Sequence, residues 1–419
     1  MRGNGPDDRL HARRLRQGVA AIAPIDGQFW ASNKPTELDD ASYFVIQGGM
    51  EDQALVGANN GIVLAQMAGS EGELLIIGDQ GGIISALSIN GGAGTARLRL
   101  QHGQSEYRLA TPANLPIPLS GSLTLLQEGP GSTVLQGSYT HTGGTAVFGG
   151  DLILRGANLA HPGAAMVVAQ GTSDIAALRV QEAAQLATGT LFVGFVDGAF
   201  GDVTVIGGSS WNANALVVGV QSAGFLTIGG NSQVKAGAVV IGSNLSAARQ
   251  AEVALNGAGS ALNVSTSMQV GGSGAGQGRL WLSTGASVNV SGNATVGGTG
   301  GAADELRLGT STHLDVGGAV TIRGNASIQV TVEQLGHGRV SAGSAHIEAG
   351  AALEVVTFGP QQPPGTEFEI LSTDSGITGA FSSVDLPTDL ELATHPNRLV
   401  VRVAAPRPDE LFKDRFQNP

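Results

Sequence analysis

The side chains that most often carry out chemistry are few in this chain and do not stand at catalytic or metal-binding spacings. The eight histidines show neither the His-Glu-x-x-His nor the His-x-His spacing of a metal site, and cysteine is absent. The sequence contains no Gly-x-Ser-x-Gly nucleophile turn and no Gly-Lys-Ser/Thr phosphate loop. We therefore expect no cofactor and no metal, and we predict a non-catalytic protein.

Paired carboxylates are the remaining arrangement that would support catalysis, because glycoside hydrolysis needs two acids roughly 5–10 Å apart. Asp304 and Glu305 are adjacent, and Asp315 is the nearest acid in the next strand. We interpret the pair as solvated turn acids. The run at 271–279 imitates a calcium-binding nonapeptide, but Gly276 replaces the ligand aspartate, so we interpret it as a turn. A carbohydrate-active β-helix enzyme, a polysaccharide lyase or glycoside hydrolase, is the alternative function.

Composition and charge exclude several classes of protein. The chain has 22 basic and 34 acidic residues and a net charge of −12, which is unsuited to neutralising phosphates, so we expect no nucleic-acid partner. No apolar run reaches the ~18 residues of a transmembrane helix. The 65 glycines accompany a hydrophobic content of 42%, too high for a disordered chain. A β protein with glycine-rich turns fits these values.

A repeat organises the second half of the chain. An apolar-x-apolar triplet followed by glycine recurs about every 25 residues, and two more short strands lie between successive copies. The copies are at residues 191–194, 216–219, 239–242, 268–271 and 294–297. Residues 176–186 are the stretch that best fits one short helix.

Three short strands per repeat cannot bury a core alone, whereas coils stacked on one another can. The sequence therefore predicts an all-β, right-handed parallel β-helix with about 25 residues per coil, and the glycines suit its corners. A globular β-sandwich is the alternative fold, but it would normally show longer strands and more hairpin turns.

Changes in composition and in the pattern of strands and turns divide the chain into three parts. Residues 1–27 are a leader or disordered segment without a convincing signal peptide, 28–403 form the β-helix, and 404–419 are a C-terminal tail. Within the β-helix, we expect irregular coils over 28–190, regular coils over 191–344, and terminal capping strands over 345–403.

Strand alternation assigns the middle residue of each triplet to the outer surface. One outward column contains Thr204, Thr227, Ala254, Trp281 and Arg307, and a second contains Asn212, Lys235, Asn263, Asn289 and Asp315. We predict surface contacts at Trp281 with Arg307, and at an apolar strip of Phe192, Val217 and Val240 unless a loop covers it. A glycan or a protein is the kind of partner expected.

Residues 133–154 resemble the autotransporter-associated β-strand repeat, L-x-G-x-Tyr-T-Gly-Gly-T-x-V-x-x-G-x-L. The matching residues are Gly137, Tyr139, Thr140, Gly143, Gly144, Thr145, Val147, Gly150 and Leu152, with one extra residue at 141–142. The opening at 29–41, the repeats at 191–323 and the segment 376–403 are similar to other parts of bacterial autotransporter passengers.

The resemblance implies a passenger-like protein that is extracellular or at the cell surface of a Gram-negative bacterium. Its function would be adhesin-like or that of a structural spacer. An autotransporter ends in an outer-membrane barrel, and no barrel follows here, so we expect a passenger fragment or another export route. Residues 411–416 resemble a short sorting tail.

Overall fold

The computed structural model describes the strand backbone within 29–58 and residues 61–78, 82–111, 113–333, 336–359 and 362–405. All regular structure in these ranges is β-strand, and none of it forms a helix able to cross a membrane. The predicted leader, and all but the first two residues of the predicted tail, lie outside the described residues.

The first third of the strands comprises β1 (Phe29–Trp30), β2 (Thr36–Leu38), β3 (Ser42–Gln47), β4 (Ala54–Ala58), β5 (Ile62–Leu64), β6 (Glu71–Gly78), β7 (Gly82–Ala86), β8 (Ile89–His102), β9 (Tyr107–Arg108), β10 (Leu119–Gln127), β11 (Ser132–Leu135), β12 (Ser138–Tyr139) and β13 (Thr145–Val147). The next are β14 (Gly150–Arg155), β15 (Asn158–His161), β16 (Met166–Val168), β17 (Ile175–Gln181), β18 (Gln185–Val193), β19 (Phe200–Val205), β20 (Ser210–Val218), β21 (Ala223–Gly229), β22 (Gln233–Ile241), β23 (Gln250–Asn256), β24 (Ala261–Val270), β25 (Gln277–Ser283) and β26 (Ser287–Val290). The last are β27 (Asn293–Val296), β28 (Asp304–Leu308), β29 (His313–Ile322), β30 (Ala326–Glu333), β31 (Gly336–His337), β32 (Arg339–Ile347), β33 (Ala352–Phe358), β34 (Glu367–Thr373), β35 (Ile377–Gly379), β36 (Ser383–Asp385), β37 (Leu390–His395) and β38 (Arg398–Val403).

These strands wind into a parallel β-solenoid of about 11 turns with roughly 26 residues per turn, which confirms the predicted fold class. The first face is a stack of parallel strands from β9 to β36, and β1, β4 and β7 form a separate parallel sheet. The other two faces belong to one sheet whose long strands serve both. In β18, for example, residues 185–188 pair with β15 and residues 191–193 pair with β16. The right-handed sense of winding stays a prediction.

The glycine of the repeated triplet has a conformational role at the corner that follows. Its φ is positive in every copy, a region that side chains with a Cβ disfavour. A Cβ added at Gly194 would also collide with the carbonyl oxygen of Ala223 in the next coil. The values are +65° at Gly194, +73° at Gly219, +79° at Gly242, +90° at Gly271 and +106° at Gly297. The period seen in the sequence is therefore the period of the corners.

The core consists of aliphatic ladders, and each coil contributes one residue to each ladder. Every residue predicted to point inward on β23, β25 and β28 is buried: Val253, Leu255, Leu280, Leu282, Leu306 and Leu308. The pairing register places Val253 opposite Leu280 and Leu280 opposite Leu306. The predicted alternation along the regular coils is confirmed.

The predicted short helix at 176–186 is wrong. Residues 175–181 form β17, which pairs in parallel with β14 and β19, and β18 begins at Gln185. Leu178 and Val180 point into the core with Arg179 between them on the outside. The alanines of this stretch allow either structure, and stacking between two coils selects the strand.

The C-terminal strands change direction at the end of the solenoid. Parallel pairing continues past residue 344 as far as β36, which stacks on β33. Strands β37 and β38 then form an antiparallel pair, and β38 also runs antiparallel to β34. The last described strands therefore fold back on the solenoid instead of adding another coil.

Candidate functional surface

Trp281 lies on the outer surface of the first face, at the centre of β25. Its neighbours Leu280 and Leu282 enter the core, whereas Trp281 is 43% exposed. The parallel register places it between Ala254 of the previous coil and Arg307 of the next. The structure therefore brings together the two predicted contact residues Trp281 and Arg307.

Charged side chains lie beside the indole of Trp281. The Arg307 guanidinium carbon lies 6.0 Å from the centroid of the indole, within the range of a cation–π contact. The Nε of Arg307 contacts the Glu305 carboxylate, and Arg279 Nε lies 2.9 Å from Glu305 Oε2. Glu305 thus bridges two arginines of neighbouring coils. We call Trp281, Arg307, Glu305 and Arg279 the Trp281 cluster.

The interpretation of Asp304 and Glu305 as solvated turn acids is wrong. Asp304 is 2% exposed, and its carboxylate accepts hydrogen bonds from the backbone N–H of Gly278 at 2.7 Å and of Gly298 at 2.6 Å. Asn325 Nδ2 donates a third bond at 3.2 Å. Burial raises the pKa of the Asp304 carboxyl, against the opposing effect of these donors. Asp304 therefore links the start of β25 to the glycine-rich turn that follows β27.

Asp304 and Glu305 do not form the acid pair that hydrolysis requires. They are consecutive in β28, so their side chains point to opposite sides of the strand. Glu305 is 8% exposed and faces the arginines, whereas Asp304 faces the backbone of Gly278 and Gly298. Asp315 lies on a different sheet, opposite Asn289. The sequence showed the acids but not the glycine N–H groups that Asp304 binds.

The apolar strip of Phe192, Val217 and Val240 is present and in register. All three side chains are half-buried. The ring of Phe195, in the following turn, meets Phe192 edge-on with 5.3 Å between centroids. The strip lies on β18, β20 and β22, in the sheet that also contains β16 and β24. The Trp281 cluster lies on β25 and β28 in the other large sheet, so the two surfaces are separate.

His141 and His161 form a buried pair in the core. Sequence analysis recognised only that the 133–154 repeat has one extra residue at 141–142. Thr145 Oγ1 lies 3.0 Å from His141 Nε2 and 3.3 Å from His161 Nε2, and the two rings are 5.3 Å apart. Burial, aided by the neighbouring His161, lowers the pKa of His141 to about 3. The pair is therefore neutral and structural at neutral pH.

Comparisons with known proteins find a likeness among solved structures. Neither the protein-family models nor the curated protein sequences match the chain. Among solved structures, the crystal structure of the Haemophilus influenzae Hap adhesin is similar, with 12% identity and a TM-score of 0.24. The match covers 90% of this chain and 61% of that one. A likeness at this level carries no argument about function, and the fold described above follows from the strand pairing.

Proposed function

We propose that this chain is a non-catalytic, extracellular or cell-surface β-solenoid that acts as an adhesin-like contact protein or a structural spacer. The observation that supports the proposal is the exposed indole of Trp281, fixed on a rigid strand beside Arg307. An aromatic side chain offers a large contact area at little entropic cost, and binding hot spots are enriched in tryptophan and arginine.

The surroundings of Trp281 favour a contact role over a packing role. The other members of its column are small or polar, and Ala254 beside it is buried under its neighbours. The Arg279–Glu305–Arg307 ion pairs stiffen the surface next to the ring, so little order has to be gained on binding. The resemblance of residues 133–154 to autotransporter repeats supports the surface location.

The test compares retention of the purified chain on a panel of immobilised polysaccharides and extracellular-matrix proteins. We expect at least one surface to retain the chain, and we expect Trp281→Ala to reduce that retention about tenfold. Phe358→Ala is the matched control, because Phe358 is also an exposed aromatic residue, 59% exposed, and lies on β33, three coils along the same sheet.

Two outcomes would contradict the proposal. Retention that Trp281→Ala leaves unchanged would remove the contact role of the cluster. Release of reducing sugar or unsaturated uronate from plant, algal or bacterial polysaccharides would instead support the alternative, a carbohydrate-active β-helix enzyme.

A further inference from the structure

A polar groove runs along the solenoid, on a different sheet from the Trp281 cluster. It consists of two adjoining stretches of about 490 and 410 Å³ that share Asn289 and Ser291. Together they extend over seven successive coils, from Asn212 to Ser372. With strands roughly 4.8 Å apart, this corresponds to a length of about 29 Å.

One side of the groove is a ladder of polar side chains held in strict register. The ladder contains Asn212, Lys235, Asn263, Asn289, Asp315, Ser341 and Ser372. Asn289 Nδ2 donates to Asn263 Oδ1 at 3.0 Å, so amides of adjacent coils are already oriented by one another. This bond leaves one N–H of Asn289, both N–H groups of Asn263 and the Oδ1 of Asn289 available for other hydrogen bonds.

The other side of the groove stays open because its residues are small. It lies where the long strands bend from the second face to the third, two residues beyond the ladder. Gly237, Ser265, Ser291, Gly317 and Gly343 occupy these positions in the five central coils, and the larger Asn214 and Asp374 occupy them at the two ends. The inward residues between the two sides, such as Val264, Val290 and Val316, belong to the core and support the groove from below.

The charge of the groove is balanced and sparse. Lys235 is the basic residue among the described lining residues, and Asp315 and Asp374 are the acidic ones. Lys235 lies three coils from Asp315 in the ladder, so neither sign dominates a continuous stretch. A polyanion would meet the two aspartates, and a polycation would meet the lysine. Neither stretch contains, among its described lining residues, a large apolar pocket of the kind that anchors a peptide side chain.

We propose that this groove binds a neutral, linear, β-linked polysaccharide lying parallel to the solenoid axis. Amide and hydroxyl groups match the paired donor and acceptor character of sugar hydroxyls. An extended β-linked pyranose chain advances per unit by a length close to one coil spacing, so successive sugars can meet successive residues of the ladder. The groove is a site separate from the Trp281 cluster and does not depend on the function proposed above.

Affinity electrophoresis in gels containing hydroxyethylcellulose or linear mannan tests the proposal, with carboxymethylcellulose as the charged β-linked comparison and dextran as the neutral α-linked one. We expect retardation by at least one of the neutral β-linked polymers and none by carboxymethylcellulose or dextran. The double variant Asn263→Ala/Asn289→Ala should weaken the retardation at least tenfold. Asn244→Ala, at an exposed turn outside the groove, is the matched control.

A second variant keeps the test decisive if the double variant fails to fold. Ser291→Phe adds a ring where the two stretches of groove meet but leaves the amides in place, and circular dichroism checks that its coils are intact. Retardation that survives in Ser291→Phe, or its absence with every neutral β-linked polymer, would overturn the proposal. Retardation lost in Trp281→Ala but kept in both groove variants would place the glycan at the Trp281 cluster and would also overturn it.

Discussion

At the scale of single residues, the two tryptophans with described side chains have opposite roles that follow from where each lies in its strand. Trp211 is fully buried, and its Nε1 donates to Thr188 Oγ1 at 3.0 Å. Trp281 is the middle residue of an apolar triplet and is exposed beside Arg307. A buried indole with its N–H satisfied stabilises the core, whereas an exposed one is available for contact.

Acrylamide quenching should separate these two residues. With Trp30 replaced by Phe, we expect a readily quenched and a protected component of the fluorescence. The quenched component should disappear in Trp281→Phe, because Trp211 is inaccessible. Poor quenching of Trp281 would mean that another part of the chain covers it, and the contact role would then be abandoned.

The buried histidines make stability depend on pH. Burial lowers the pKa of His141 to about 3 and that of His102 to about 4, below the ordinary value near 6.5 in the unfolded chain. The unfolded state therefore takes up more protons between these values, and stability is lost as the pH falls below about 6.5. We expect the melting temperature to be lower at pH 4.5 than at pH 7.

Removing one histidine should reduce this pH dependence. At pH 4.5 the His141 contribution amounts to about 3 kcal/mol of lost stability, so His141→Gln should narrow the difference in melting temperature between the two pH values. His346→Gln is the matched control, because His346 is exposed and bonded to Thr378. If the melting temperatures of the wild type and of His141→Gln depend equally on pH, the buried histidine pair is not the source of that dependence.

At the scale of the strand, each strand contributes inward residues to the core ladders and outward residues to the surface columns. Leu280 in β25 is fully buried between Val253 and Leu306. A carboxylate at this position would have no partner, so Leu280→Asp should lower the free energy of unfolding by several kcal/mol. Thr204→Asp, outward and beside Arg179, should have little effect. Equal melting temperatures for the two variants in thermal denaturation would contradict the register.

The sequence predicted the strands best where the repeat is most regular. Alternation and the positive-φ glycines at 194–297 were sufficient to assign both the core ladders and the outward columns. The prediction failed at 176–186 because alanine-rich segments carry little alternation, and stacking on β14 and β19 decides their structure. It also failed at Asp304, because two of its partners are backbone N–H groups, one in β25 and one in the turn after β27, that no side-chain pattern reveals.

At the scale of the whole molecule, the solenoid distributes its features over separate faces. The Trp281 cluster lies on the first face, and the polar groove lies over the bend between the other two. Residues far apart in sequence become neighbours only through the coil register, as in the column from Arg179 to Glu354. All of the surface assignments therefore depend on that register.

Pulsed electron paramagnetic resonance distances along this column test the register most directly, since the chain has no cysteine to compete with introduced labels. A spin label at Arg179→Cys is paired in turn with Trp281→Cys, Gln329→Cys and Glu354→Cys, which lie further along the same column. At roughly 4.8 Å per coil, four, six and seven coils predict backbone separations of about 19, 29 and 34 Å. Distances that grow linearly with the number of coils would support the account. Distances that show no such increase, as in a compact β-sandwich, would contradict it.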